Sequence, residues 1–256
     1  MKLIDRKYIN LVYEFSVSDF KLREQGTVLG FIWTLLHPLL MFGILYMLFA
    51  KRLGVGIEHY GIYLLIGILH WNFFSTATTQ GLKSIMMRRE MLRNICIPMT
   101  AIVISSVLTV FISFMFEMVI LVGFLLFLKI GFSAAMLLFP VIVLIQLLLI
   151  IGISLVLSCL NVYFKDMQHI WDILLRIGFF LTPIFYPISM FVSKAKMSLY
   201  LLNPLTQFIV FARDVLLYKK LPSFISVFSI FLCVVFLFAT AYIIFKKLED
   251  GIMERI

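Results

Sequence analysis

From Phe132 to Phe164 the chain carries no charged side chain, and from Thr100 to Leu128 it carries only Glu117. A helix of about 20 mostly apolar residues crosses the hydrocarbon core of a bilayer. Residues 31–50, 61–81, 170–188 and 222–245 meet the same criterion, which makes six candidate spans with 100–128 and 132–164. The last two exceed the need, leaving room for tilt or for projection beyond the lipid. Composition agrees: 63% of residues are hydrophobic and 14% charged, against about 45–50% and about 25% in soluble domains. The expected fold is an all-α integral membrane protein of six transmembrane helices. Residues 1–28 would form an amphipathic interface helix and 29–256 the transmembrane domain, with short re-entrant helices before the last span.

The formal charge of +9 is spread over segments flanking the spans. With both termini cytoplasmic, more Lys and Arg fall on inner segments than on outer ones, the sign of the positive-inside rule. That excess faces anionic lipid or an acidic partner surface more simply than nucleic acid. Residues 1–23 alternate charged and apolar residues, without the uninterrupted apolar core of a cleavable signal. Cys96, Cys159 and Cys233 are scattered, with neither Cys-x-x-Cys nor Cys/His spacing, so no disulfide framework or metal site is expected.

Tyr8, Leu11, Val12, Phe15 and Leu22 fall close to helical spacing, as in a helix lying on the inner leaflet. It would serve as an interfacial anchor, a lateral gate or a docking surface for a head group. Residues 21–40 then join this charged run to the first span through Gly26, Gly30, Trp33 and Pro38. Residues 83–98, with Arg88, Arg89, Glu90 and Arg93, form a second charged segment, and Pro98 sets the boundary of the next span. It is either a topology-fixing loop or a docking helix for a cytoplasmic subunit. Residues 205–217 are too apolar for a free loop and too short to span.

Ionisable residues within spans are costly and are functional candidates by default. Asp172 and Arg176 are four apart, positioned for a pair along one helix face; a snorkelling Arg or a cation facing a translocating phosphate are the other readings. Glu117 has no partner near it in sequence, and both a structural carboxyl and a relay group are open. His70, Asn72, Ser75 and Thr76 fall among Trp71, Phe73 and Phe74, and Phe179, Phe180, Phe185 and Tyr186 cluster in the fifth span. Rings mixed with hydroxyl and amide groups suit sugars, which offer C–H faces and hydroxyl edges. No carboxylate pair, His cluster or Ser/His/Asp set supports catalysis. Without G-x-x-x-x-G-K-[ST] the chain has no Walker-type ATP site, and GLKS at 81–84 has only the tail of that pattern.

Taken in order, LGFIWTLLHPLL (29–40), GILHWNFFS (67–75), NICIP (94–98), FKDMQHI (164–170), LTPIFYP (181–187) and NPLTQFIVFARDVLL (203–217) resemble the membrane subunit of type-2 ABC exporters. The nearest likeness is to the permeases that export O-antigen, capsule or teichoic acid, and it covers essentially the whole chain. It implies a homodimer around a central channel in the bacterial inner membrane. Two copies of a separate subunit would bind ATP and Mg below it, so this chain itself needs no cofactor. The cargo would be a polyprenyl-diphosphate-linked glycan whose head group meets Lys21, Arg23, Gly30 and Trp33. The sugar chain would pass Trp71, Phe73, Phe74, Arg176, Phe179, Phe180, Phe185 and Tyr186. Arg88, Arg89, Glu90, Arg93, Lys165 and Asp166 would contact the ATPase, and Asn203, Pro204 and Arg213 would belong to outer helices closing the far end. Two departures stand out: Lys165-Asp166 replaces the family's frequent Arg-Asp, and Arg23 is followed by Glu24 and Gln25 where Arg-Tyr is common. A permease for a drug or lipid, a membrane enzyme and a secondary transporter are the competing readings.

Overall fold

The computed structural model describes residues 6–24, 32–54, 56–95, 97–187 and 203–253, and among them every regular element is a helix. In chain order these are α1 (Arg6–Glu24), α2 (Ile32–Leu53), α3 (Tyr60–Met87), α4 (Arg89–Asn94) and α5 (Met99–Phe127). A 3₁₀ turn (Ala134–Leu138) then leads into α6 (Phe139–Tyr163), followed by α7 (Met167–Leu181), α8 (Pro204–Leu216) and α9 (Phe224–Met253). Proline marks several starts: Pro98 is the N-cap of α5, and Pro140 and Pro204 occupy the first turns of α6 and α8. A missing N–H costs nothing in that turn, and the fixed φ suits it.

Four elements are long and apolar enough to cross a membrane: Ile32–Leu53, Met99–Phe127, Ala134–Tyr163 and Phe224–Glu249. The first is the least enclosed by the rest of the protein and the third the most. The other two sequence candidates behave differently. Helix α3 is 28 residues long, about 42 Å at 1.5 Å per residue, but its second half is rich in Thr, Gln and Ser. It lies at the centre, against α2, α5, α6, α7 and α8, and Ile62 to Ile66 together with Ala77, Leu82 and Ile85 are sealed from solvent and lipid. A helix enclosed by protein need not be apolar by composition. Close approach is built in at Gly81, where a Cβ would lie 2.5 Å from Ser154 Oγ of α6, the small-on-small contact that lets membrane helices meet.

The fifth candidate does not stay helical to residue 188. Helix α7 has 15 residues, about 22 Å, and ends at Leu181 because Pro183 disfavours a helical residue before it. Residues Thr182 to Tyr186 leave the helix among surrounding protein, and Ile184 is completely buried. Non-helical backbone at membrane depth has to be paired within the protein. Arg213 of α8, itself 3% exposed, does most of this. Its Nη1 donates to Pro183 O at 2.8 Å, Nη2 to Ile184 O at 2.6 Å and Nε to Tyr63 O at 3.1 Å, and its guanidinium stacks 3.4 Å over the Tyr63 ring. The Tyr60 hydroxyl donates to Phe185 O at 2.8 Å and the Tyr63 hydroxyl to Tyr186 O at 3.1 Å. Asn203 caps α8 by accepting from Leu205 N–H at 3.0 Å and donates to Thr182 Oγ1 at 3.3 Å. Gly67 makes room for all this, since a Cβ there would lie 2.8 Å from Arg213 Nη2 and 2.9 Å from Ile184 O.

Helix α1 turns Val12 and Ser16 onto α5, so the stripe expected to rest on lipid is partly used for packing, while Leu22 stays exposed. Ser16 Oγ donates to Ser105 O at 3.3 Å, Thr109 Oγ1 to Ser16 O at 3.2 Å and Tyr8 Oη to Thr100 Oγ1 at 3.2 Å. Burial pushes the Tyr8 phenol above its ordinary pKa, outweighing its hydrogen bond to Thr100, so it remains a neutral donor.

Two substitutions test the tie at Arg213. Arg213→Lys keeps the charge but loses the fork, and Gly67→Ala crowds it. Each should lower the stability of the detergent-purified protein by about 1–3 kcal/mol per carbonyl left unpaired or clash introduced, read as an earlier thermal transition.

Candidate functional site: a polar stripe beside a row of rings

Asn72, Ser75, Thr76, Thr79, Gln80 and Lys83 recur three and four apart along α3, which places them on one helical face. All six are half-exposed, whereas Phe73, Ala77, Gly81 and Ser84 on the other faces are buried. Two hollows open along the stripe. One, of about 380 Å³, lies between α2, α3 and α5, with Trp33, Thr34 and His37 facing Asn72, Thr76 and Glu117. The other, of about 480 Å³, is lined by Ser75, Thr76, Thr79, Gln80, Lys83 and Leu175. Thr76 belongs to both. The result is a continuous track of hydroxyl and amide groups that ends in an ammonium.

Glu117 is 3% exposed and accepts a hydrogen bond from Asn72 Nδ2 at 3.0 Å. One partner of this carboxylate therefore comes from α3. His70, grouped in sequence with Asn72, sits on the opposite side of α3. Its Nδ1 is 2.6 Å from Gln146 Oε1, and Gln146 Nε2 donates to His70 O at 3.2 Å, a buried clasp to α6 and no part of the track.

Beside the stripe runs a row of rings. Trp71 is 5.9 Å from Phe74 and 5.8 Å from Phe179, centroid to centroid, and Phe74 is 6.4 Å from Trp171. The row continues through Phe180 and Phe185, each within 6.1 Å of Phe179, to Tyr186 at 5.1 Å from Phe185. Trp71 lies on the backbone of Gly178, where a Cβ would come within 2.9 Å of its Cη2. Trp171 is anchored by its Nε1 donating to Thr78 Oγ1 at 3.2 Å. Phe73, two residues beyond Trp71, points towards α5 at the wall of the first hollow, 1% exposed and stacked 4.4 Å from Phe114. It packs the core instead of joining the row.

The other expected residues are dispersed. Trp33 is half-exposed on the wall of the first hollow. Lys21 is exposed near the end of α1; Arg23 lies in the last turn, its side chain outside the described residues, as is Gly30. Arg176 is exposed on α7, and among the described residues no ion pair joins it to Asp172. Arg89, Glu90 and Arg93 are exposed on α4, and Lys165 and Asp166 are exposed between α6 and α7. Arg88 is turned inward, towards α1 and α5. Arg213 and Asn203 hold the break after α7, with Pro204 in the first turn of α8. Sequence reading passed over Thr79, Gln80, His37 and Trp171. The repeat from Asn72 to Lys83 is the signal for the first two.

Residues 13–217 match the family model described as "ABC-2 type transporter". The chain belongs to this family. As an ABC-2 type protein with several membrane-crossing helices, it is a multi-pass protein of the bacterial inner membrane. It is 29% identical to the "O-antigen export system permease protein RfbA" of Myxococcus xanthus, over 98% of this chain and 96% of the relative. A protein of the same description from Klebsiella pneumoniae is 27% identical, over 98% of both chains.

Trp71→Ala and Phe73→Ala should part company. Removing Phe73 should cost about 3–5 kcal/mol of stability as a core cavity. Removing Trp71 should lower transport in reconstituted vesicles while costing much less in thermal stability.

Proposed function

We propose that this ABC-2 type chain is the permease subunit of an exporter that moves a polyprenyl-diphosphate-linked polysaccharide across the inner membrane, driven by ATP hydrolysis in a separate subunit. The observation that carries this reading is the half-exposed polar stripe from Asn72 to Lys83, set beside the row of rings, in a helix otherwise enclosed by protein. Likeness over nearly the full length to two O-antigen export permeases supports the same cargo class. Hydroxyl and amide groups on the stripe exchange hydrogen bonds with sugar hydroxyls, and the faces of Trp71 and Phe179 accept sugar C–H groups. Contacts of this kind are many, weak and repeated, so a polymer is held without being trapped.

In this reading α3, and α7 with the segment after it, complete six spans, both termini are cytoplasmic, and α1 lies at the inner leaflet. A second copy faces the stripe and closes it into a conduit. Lys21, Arg23, Gly30 and Trp33 receive the diphosphate-linked head group. Arg89, Glu90 and Arg93 on α4, with Lys165 and Asp166, dock on the ATPase subunit, which binds ATP and Mg²⁺. The apolar α8 and the tie at Arg213 seal the outer end.

Native protein purified from its own membrane should bring down a cytoplasmic ATPase, and lipid-linked glycan should raise ATP turnover. Arg89→Glu with Arg93→Glu should release the ATPase while leaving the folded permease intact by size-exclusion chromatography. A pair of copies that transports cargo uphill with neither ATPase nor nucleotide would overturn the reading.

A further inference from the structure

Arg88 was expected to offer its charge to a cytoplasmic partner, but its surroundings give it a different job. Its backbone is the joint between two helices: it is the C-cap of α3 and the N-cap of α4, with its N–H on Ile85 O at 3.1 Å and its carbonyl accepting from Leu92 N at 3.0 Å. Its side chain folds back into the protein. Nη2 is ion-paired with Asp19 Oδ2 of α1, Nη1 donates to Ser105 Oγ of α5 at 3.3 Å, and the guanidinium sits 4.8 Å over the Phe15 ring of α1. The pair is shielded on both sides, with side chains 17% and 28% exposed. Neighbouring Arg89, Glu90 and Arg93 remain exposed. One cation at the joint thus touches α1 twice and α5 once.

An ordinary surface ion pair is weak and tolerant of movement. This one is half-buried, backed by a ring and placed where the backbone changes direction, so α4 cannot tilt about the joint without pulling Asp19 and Phe15. Helix α1 in turn is held to α5 through Ser16, Thr109 and Tyr8. Because α3 carries the polar stripe, the same joint ties the inner end of that stripe to the N-terminal helix.

We infer that Arg88 is a positioning residue that transmits displacement of α4 to α1 through Asp19, rather than a docking charge for the ATPase. This rests on the ATP-driven reading above and adds a division of labour: Arg89 and Arg93 face the motor, and Arg88 hands the motion inward.

The test uses the full complex in membrane vesicles, with Asp19→Asn, Arg88→Gln and the swap Asp19→Arg/Arg88→Asp. Three quantities are read: ATPase subunit retained on purification, ATP turnover without cargo, and the stimulation by lipid-linked glycan. Asp19→Asn and Arg88→Gln should both retain the ATPase and its unstimulated turnover, while stimulation falls at least about fivefold, the lower end of coupling between linked sites. The swap should restore most of it. Native stimulation in Asp19→Asn overturns the inference, as does loss of the ATPase from Arg88→Gln but not from Asp19→Asn. A swap that folds yet stays uncoupled overturns it too; if the swap does not fold, Asp19→Asn decides alone. Should the native chain retain no ATPase at all, the permease reading fails first, and that result is distinct from the other three.

Discussion

A broken backbone inside a membrane protein is tolerable only if something else takes up its carbonyls, and here that something is Arg213. Its guanidinium donates to two carbonyls of the segment after α7 and to one on α3, and rests on the Tyr63 ring. Three elements meet through it: α3, the segment after α7, and α8. A buried cation without such partners would be strongly unfavourable, and so would the bare carbonyls. Each cancels the cost of the other. The position of the ring row follows, because Phe179 and Phe180 lie on the short α7, and Phe185 and Tyr186 lie on the segment that Arg213 holds.

Helix α3 then has two contrasting tasks. Its buried faces form the centre of the bundle, in contact with α2, α5, α6, α7 and α8. Its remaining face stays polar and half-open. The second task depends on the first: a stripe of hydroxyl and amide groups facing lipid would be penalised, whereas one facing a hydrated hollow is not. His70, off the stripe, is bonded to Gln146 of α6, and Asn72 on the stripe donates to Glu117 of α5, so polar groups of this helix find partners on its neighbours.

Much of this was legible in the amino-acid order. The long apolar runs mark α5 and α6 because length and apolarity alone decide them, and Pro98 marks where α5 begins. The rings on α7 were legible as a cluster. Other features were not. Composition marks 61–81 as a candidate span, and nothing in the string shows that enclosure by protein is what permits its Thr and Gln residues. Phe73 and Trp71 look equivalent in a string and diverge in space, because two residues on a helix are about 200° apart. Arg88 and Arg89 are adjacent and alike in charge, yet only the fold turns one inward. Arg213 read as an outer charge because nothing local announces the distant carbonyls it meets.

The glycine contacts bear on how the molecule can move. Trp71 against Gly178, Ser154 against Gly81 and Ile184 against Gly67 are gear teeth: each sits where even a methyl group would collide. Helices meshed this closely do not slide past one another by fractions of a turn, since packed interfaces switch between discrete arrangements and resist continuous shear. The central bundle is therefore stiff, and compliance resides at its periphery, in the sparsely packed α2 above all. Motion of this chain is accordingly a swing of that outer helix or a displacement in which the bundle travels as a solid.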